Sequence, residues 1–323
     1  MHFISFIKIH FNMINRRNFL KNTSLLAAGS FLASNTAFAS ALSSAAKNFG
    51  LQTYSLGNEL GQDVAGGLKR VGEMGYVTIE LAGYGNGKIN GVDMQEFKKM
   101  AEDAGLKITS THVNPPVSTY TQENKAEIAE FWKKAVADHA AIGCNYIVQP
   151  GQPSTRNTEE VALVGEVFNE AGKIAKAAGL IFGYHNHSGE FARVAPAAAT
   201  TPTEGEGGGR RRRQEGTKII YDAMLEGTDP ALVVFENDVY WTVMGQQDPV
   251  AYMKKYPDRI RLLHIKDKAV LGETGMMNFQ KIFETAYDIN ISDFFVELEG
   301  YSGGQFNGVK GCADYLLNAP FVK

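Results

Sequence analysis

Residues 259–267 read Arg-Ile-Arg-Leu-Leu-His-Ile-Lys-Asp. A short apolar run of strand length ends in chemically active side chains: His264, Lys266 and Asp267. Apolar runs of this kind suit a strand covered on both faces, as in a parallel sheet. Polar groups at the end of such a strand are costly to bury unless they are paired or bind something. The design recurs along the chain. Runs at 51–56, 77–81, 107–113, 145–149, 180–187, 232–238, 260–266 and 294–299 have strand character. Between them lie helical stretches at 62–74, 94–104, 125–142, 159–178, 248–256 and 279–287, and a last one around 312–317. Ala104-Gly105-Leu106 and Ala178-Gly179-Leu180 each put a glycine just past a helix and then enter a strand.

Strands alternating with helices at this rhythm predict an α/β protein, a (β/α)8 TIM barrel occupying residues 40–323. A doubly wound sheet has the same alternation. It would usually show a glycine-rich turn after its first strand, and Tyr54-Ser55-Leu56-Gly57-Asn58 is not one. One stretch breaks the rhythm. Residues 194–216 contain Ala and Thr, then Glu-Gly repeats, then four arginines, Arg210 to Arg213, with almost no large apolar side chain. They read as a low-complexity loop insertion after strand five.

Composition bounds the rest. Hydrophobic residues make up 44% of the 323-residue chain and charged residues 21%, as in ordinary globular proteins. Two cysteines are too few for a disulfide scaffold, and Cys144 and Cys312 fall on separate sectors of the predicted barrel, so both should be free. The net charge of −3 advertises no nucleic-acid partner. Residues 15–21, Asn-Arg-Arg-Asn-Phe-Leu-Lys, resemble a twin-arginine export signal. An apolar stretch follows at 24–33, and then Ala37-Phe38-Ala39, the small-x-small pattern of a cleavage site. The stretch is too short to span a bilayer. Residues 1–39 are therefore expected to be a signal peptide, and the mature protein to be periplasmic or exported without stable membrane insertion. Those residues carry four basic groups and no acidic ones, so cleavage shifts the net charge to −7.

Catalytic groups of a barrel sit at the C-terminal ends of its strands. Here strand two ends at Glu80, strand three at His112, and strand four at Gln149. Strand five ends in His185-Asn186-His187 with Glu190 beyond, and strand six in Glu236-Asn237-Asp238 with Trp241 beyond. His264 and Lys266 end strand seven, and Glu297 ends strand eight. Of the five histidines after residue 39, four lie at strand ends and only His139 lies in a helix. Carboxylates and imidazoles converging from several strands are what a divalent ion needs.

The pieces His-Asn-His-x-x-Glu-Phe at 185–191, Glu-Asn-Asp-Val-Tyr-Trp at 236–241, Asp-Pro-Val at 248–250 and 259–267 carry a resemblance. From about residue 50 onward the chain resembles the sugar phosphate isomerase/epimerase family. That family's fold is the xylose isomerase-like barrel shared with the family-2 apurinic endonucleases. The resemblance implies one divalent ion (Mn, Mg, Co or Zn) held by Asp238, His264 and Glu297. His187 or Glu190 would complete the set, with His185 behind it or on the substrate. It further implies a metal-dependent isomerase or epimerase acting through an enediolate. Glu190, Glu80 and His112 are candidate bases, and Lys266 and His185 candidate oxyanion or proton-return groups. Tyr54 and Trp241 offer flat surfaces to a sugar ring, with Glu80 and Gln149 as further substrate contacts. No glycine-rich phosphate nest occurs, so a non-phosphorylated sugar or keto-sugar is the expected partner. Two alternatives stay open: a keto-glycoside lyase or dehydratase on the same site, and a non-catalytic carbohydrate-binding barrel.

Overall fold

The computed structural model describes residues 47–196, 218–301 and 303–323. The expected signal peptide and most of the expected insertion lie outside the described residues. Eight parallel strands form one sheet: β1 Gly50–Gln52, β2 Thr78–Leu81, β3 Lys107–Thr111, β4 Tyr146–Gln149, β5 Ile181–His185, β6 Val233–Asp238, β7 Ile260–Ile265 and β8 Asp293–Val296. Each strand pairs with its neighbours in chain order, and β8 pairs with β1. The remaining seam, between β3 and β4, is joined by a bridge from His112 to Val148, with the Val113 N–H donating to the Val148 carbonyl at 2.9 Å. The sheet is thus a closed barrel, and closure leaves no exposed edge.

Eight main helices follow the strands: α1 Val64–Glu73, α2 Met94–Asp103, α3 Lys125–Ile142, α4 Thr158–Ala177, α5 Ile220–Gly227, α6 Pro249–Lys255, α7 Phe279–Asp288 and α8 Gln305–Asn318. Local sequence dictates several of their starts. The side chains of Asp63, Asp93, Asn157, Asp248 and Asn278 accept hydrogen bonds from the first backbone N–H groups of their helices. Pro249 adds a preset φ at the first position of α6. Gly105 and Gly179, just past α2 and α4, have φ of 74° and 82°, a conformation that favours glycine. Each helix buries one apolar face, exemplified by Leu68 and Val71, Phe97 and Ala101, and Phe168 and Ala171.

Inside the barrel, Tyr146, Val148, Val234, Leu262 and Phe295 form an apolar floor. Gly50 leaves room for it, since a Cβ there would stand 2.7 Å from the Phe295 ring. Two residues further along each strand the inward positions turn polar, giving Gln52, Glu80, His185, Glu236 and His264.

Three expectations change. The first strand stops at Gln52, because its side chain accepts the Tyr54 N–H at 2.9 Å and starts a 3-10 turn, Thr53–Leu56. The fifth strand stops at His185, so His187 lies in the turn beyond it. Val194 is not loop: Arg193–Val194 pairs antiparallel with Lys218–Ile219, with Val194 buried. This two-stranded ribbon closes the base of the insertion. Cys144 and Cys312 are both buried and free, and burial pushes each thiol up to about 12. Among the described residues no helix is long and apolar enough to cross a membrane.

Candidate metal centre and cleft

At the C-terminal end of the barrel a cleft of about 270 Å³ is lined by Tyr54, His112, Asn114, His185, His187 and Glu299, among others. Larger hollows on the outer wall, such as the one beside Trp132 and Glu166, hold no comparable convergence of histidines and carboxylates. Chemistry therefore selects the smaller cleft.

Below it His185, Asp238, His264 and Glu297 each offer one atom, and these four atoms lie within 4.8 Å of one another. Neighbouring strands bring them together: Asp238 is in register with His264, and His264 with Phe295, two residues before Glu297. All four are buried. His185 Nδ1, Asp238 Oδ2 and His264 Nδ1 have no hydrogen-bond partner. Orphaned buried polar atoms are rare in folded proteins and call for a reason. Here two imidazoles and two carboxylates form a donor set suited to a first-row divalent ion.

Electrostatics agree. Burial, reinforced by the Glu297 carboxylate, pushes Asp238 up to about 7 against the pull of Lys266. Burial also works against charge on His264, but Glu236, Glu297 and Glu80 outweigh it and hold the ring well above the usual imidazole range. Glu297 goes the other way: burial would raise it, and His264 and Lys266 hold it well below the usual carboxylate range. Added positive charge at this point would keep Asp238 ionised.

The other expected site residues fall at different depths. Lys266 is buried, 2.8 Å from Glu297 and 2.6 Å from Glu299, and its ammonium sits 5.1 Å from the Trp241 ring centre. His187 is half-buried, its ring between those of His185 and Trp241 at 5.0 and 5.8 Å. Tyr54 is 58% exposed at the mouth and free to stack. Lys266 and Trp241 are not part of the cleft lining, and three further residues are engaged away from it. Glu190 is buried behind it, taking the Tyr184 hydroxyl at 2.5 Å and the His187 N–H at 3.1 Å. Gln149 is spent on the Tyr120 hydroxyl and the Gly151 carbonyl. Glu80 lies under the site, bonded to Gln52, Ser110 and His264.

Sequence reasoning passed over Glu236, whose Oε2 lies 2.8 Å from His112 Nε2, 3.2 Å from His264 Nε2 and 3.4 Å from His185 Nδ1. The signal was present, because Glu236 stands two residues before Asp238 and so shares its face. Asn186 was also passed over. Its carbonyl oxygen accepts the Asp238 N–H at 3.2 Å and the Asn237 amide at 3.0 Å, which fixes the turn carrying Asp238.

Known proteins share this architecture. A sugar phosphate isomerase/epimerase of Parabacteroides distasonis ATCC 8503 is 52% identical, with a TM-score of 0.79 over 86% of this chain and 100% of that one. The 3-keto-D-glucoside 4-epimerase of E. coli shares the fold alone, at 14% identity and a TM-score of 0.62 over 84% of this chain and 100% of that one. An inosose dehydratase of Geobacillus kaustophilus is 22% identical over 229 residues, 66% of this chain and 64% of the relative's own length. Residues 68–312, well over half of the chain, match the family described as the xylose isomerase-like TIM barrel, and the protein belongs to that family.

Proposed function

We propose that the protein is a metal-dependent sugar isomerase or epimerase acting on a non-phosphorylated sugar or keto-sugar. The observation that carries this reading is the set of four buried donors, three of them with unpartnered atoms, directly beneath a cleft walled by imidazoles. His185, Asp238, His264 and Glu297 would hold the ion. Two imidazoles among them favour Mn, Co or Zn over Mg, which prefers oxygen ligands. When bound, the ion would supply Lewis-acid polarisation of adjacent sugar hydroxyl and carbonyl oxygens.

The chain's own groups do the rest. His112 and His187 flank His185, each ring 5.0 Å from it, and both line the cleft. They would take a proton from the carbon beside a carbonyl and return it. Tyr54 gives the sugar ring a flat surface at the mouth. The described cleft lining contains no arginine and no lysine but two carboxylates, Glu297 and Glu299. Lys266 behind them is paired with both, so no cationic side chain of the described cleft is left free for a phosphate, which favours a neutral sugar.

A second reading is a dehydratase or lyase on the same site, favoured by the similarity to inosose dehydratases. It begins with the same proton removal and ends with loss of a leaving group. Solvent deuterium entering candidate keto-sugars, followed by NMR with and without chelator, tests both. Exchange with recovery of an isomer supports the first reading, and exchange with an unsaturated product supports the second. A protein that binds sugar without exchange would be a carbohydrate-binding barrel instead. Export through the twin-arginine route belongs to the same proposal, and changing Arg16 and Arg17 to Lys should leave residues 1–39 uncut and the protein in the cytoplasm.

A further inference from the structure

Under the donors lies a second polar layer. Glu80 is fully buried, and its Oε1 accepts the Ser110 hydroxyl at 2.6 Å. Its Oε2 accepts the Gln52 amide at 2.8 Å and faces His264 Nε2 at 2.6 Å and His112 Nε2 at 3.2 Å. Glu236 Oε2 faces the same two nitrogens, at 2.8 Å from His112 and 3.2 Å from His264. The two rings are stacked, 5.1 Å apart and 17° from parallel. Two carboxylate oxygens and two Nε2 atoms therefore alternate in one small patch. A register shift immediately precedes each carboxylate, between Ile79 and Glu80 and between Phe235 and Glu236. Such bulges re-aim side chains.

Glu80, already taking a hydroxyl and an amide proton, has only acceptor capacity to offer, so the two nitrogens facing it must carry hydrogen; Glu236 Oε2 shares both of them, while its Oε1 has no partner. With Nε2–H held from below, Nδ1 is the atom left to give up its hydrogen, and an ion bound by His264 would take that lone pair. His264 Nδ1 is 3.3 Å from Glu297 Oε2 and 4.0 Å from Asp238 Oδ2. His112 has its remaining edge on the cleft wall.

We propose that Glu80 and Glu236 are positioning residues that hold His264 and His112 in the Nε2–H form. His264 then presents Nδ1 to the donor cluster, and His112 presents Nδ1 to the cleft. For His264 this rests on the metal-site reading above; for His112 it does not. Glu80 would thus act through His264 and never touch the sugar, and Glu236 would act through His112.

The isosteric substitutions Glu80→Gln and Glu236→Gln test this, on protein labelled with 15N-histidine, together with manganese and zinc affinity by calorimetry. Wild-type protein should show two slowly exchanging Nε2–H signals, assigned by their loss in His264→Gln and His112→Gln. Glu80→Gln should shift or erase the His264 signal and weaken metal binding by about 10- to 100-fold. Glu236→Gln should move chiefly the His112 signal and lower kcat with KM nearly unchanged. Metal affinity unaltered in Glu80→Gln, or a zinc-loaded wild type with hydrogen on His264 Nδ1, would overturn the proposal. If wild type binds neither metal, the metal reading fails, and the ring signals of wild type alone decide the tautomers. Those signals also decide should a variant not fold.

Discussion

Two layers of the barrel interior are built from the same residue types and behave as opposites. The lower one, around Glu80 and Glu236, satisfies most of its donors internally, through Gln52, Ser110, His112 and His264. The upper one, around Asp238, leaves His185 Nδ1, Asp238 Oδ2 and His264 Nδ1 without partners. His264 belongs to both, one nitrogen engaged below and the other open above. Residue type therefore does not separate a supporting network from a binding site. Convergence does: Glu236 Oε1 below is also unpartnered, but only above do three such atoms meet within reach of one ion.

Substitutions on either side should split along this line. Asp238→Ala should abolish proton exchange and weaken metal binding by more than about 100-fold, beyond the loss caused by a missing supporting partner. Its melting temperature should fall only slightly, since loss of the cap on the Trp241 N–H is offset by removal of a buried carboxylate whose Oδ2 has no partner. Glu80→Ala should cost more, about 3 kcal/mol or more in urea titrations, because it strands several buried partners. Equal stability losses in the two variants would erase the distinction.

His139 sharpens it with a saturated histidine far from any donor cluster. Its Nδ1–H donates to the Ala135 carbonyl at 2.7 Å, and Nε2 meets the Thr111 hydroxyl at 3.1 Å. Burial lowers it to about 4, against an ordinary value of 6.5. Above pH 6.5 the ring is neutral in both folded and unfolded chains, and its contribution is complete. As pH falls the unfolded chain takes up the proton first, so stability drains away between about 6.5 and 4, by roughly 3 kcal/mol in all. His139→Gln should flatten that slope by one proton in denaturation curves at pH 7 and 4.5, with metal affinity untouched. An unchanged slope would show that His139 is not held neutral. The smallest effect is expected from replacing residues 197–217 with a two-residue turn. Loop length enters loop closure only logarithmically, so stability should change by less than about 1 kcal/mol. A larger change in calorimetry would mean that the removed residues pack against the barrel.

Much of this was legible in the sequence. All eight strands and seven of the eight main helices could be read because apolar periodicity reports directly which face is buried; α5, Ile220–Gly227, was missed beside the low-complexity stretch. The rule about strand ends put Asp238, His264 and Glu297 on one face, and the family resemblance singled them out from the other polar strand ends. Depth was not legible. His185 and His187 share a face by period two, and only the end of β5 at His185 places one among the donors and the other on the cleft wall. Glu190 read as a base because it follows the strand. A 3-10 turn, Gly189–Phe191, folds it back under Tyr184 instead. Side-chain capping and local turns decide such details, and they leave little trace in periodicity.

The ribbon of Arg193–Val194 and Lys218–Ile219 makes the insertion point a socket. Paired strands lie about 5 Å apart, so the two ends of whatever joins them are already fixed side by side. The flanks are tied down as well, with Ile220 N–H donating to the Ala192 carbonyl and Thr158 N–H to that of Ala195. A chain engineer could splice a reporter domain or an affinity handle there, on the strand-to-helix side of the barrel. Over evolutionary time the same socket would let the connecting segment lengthen, shorten or change composition while the barrel underneath stays the same.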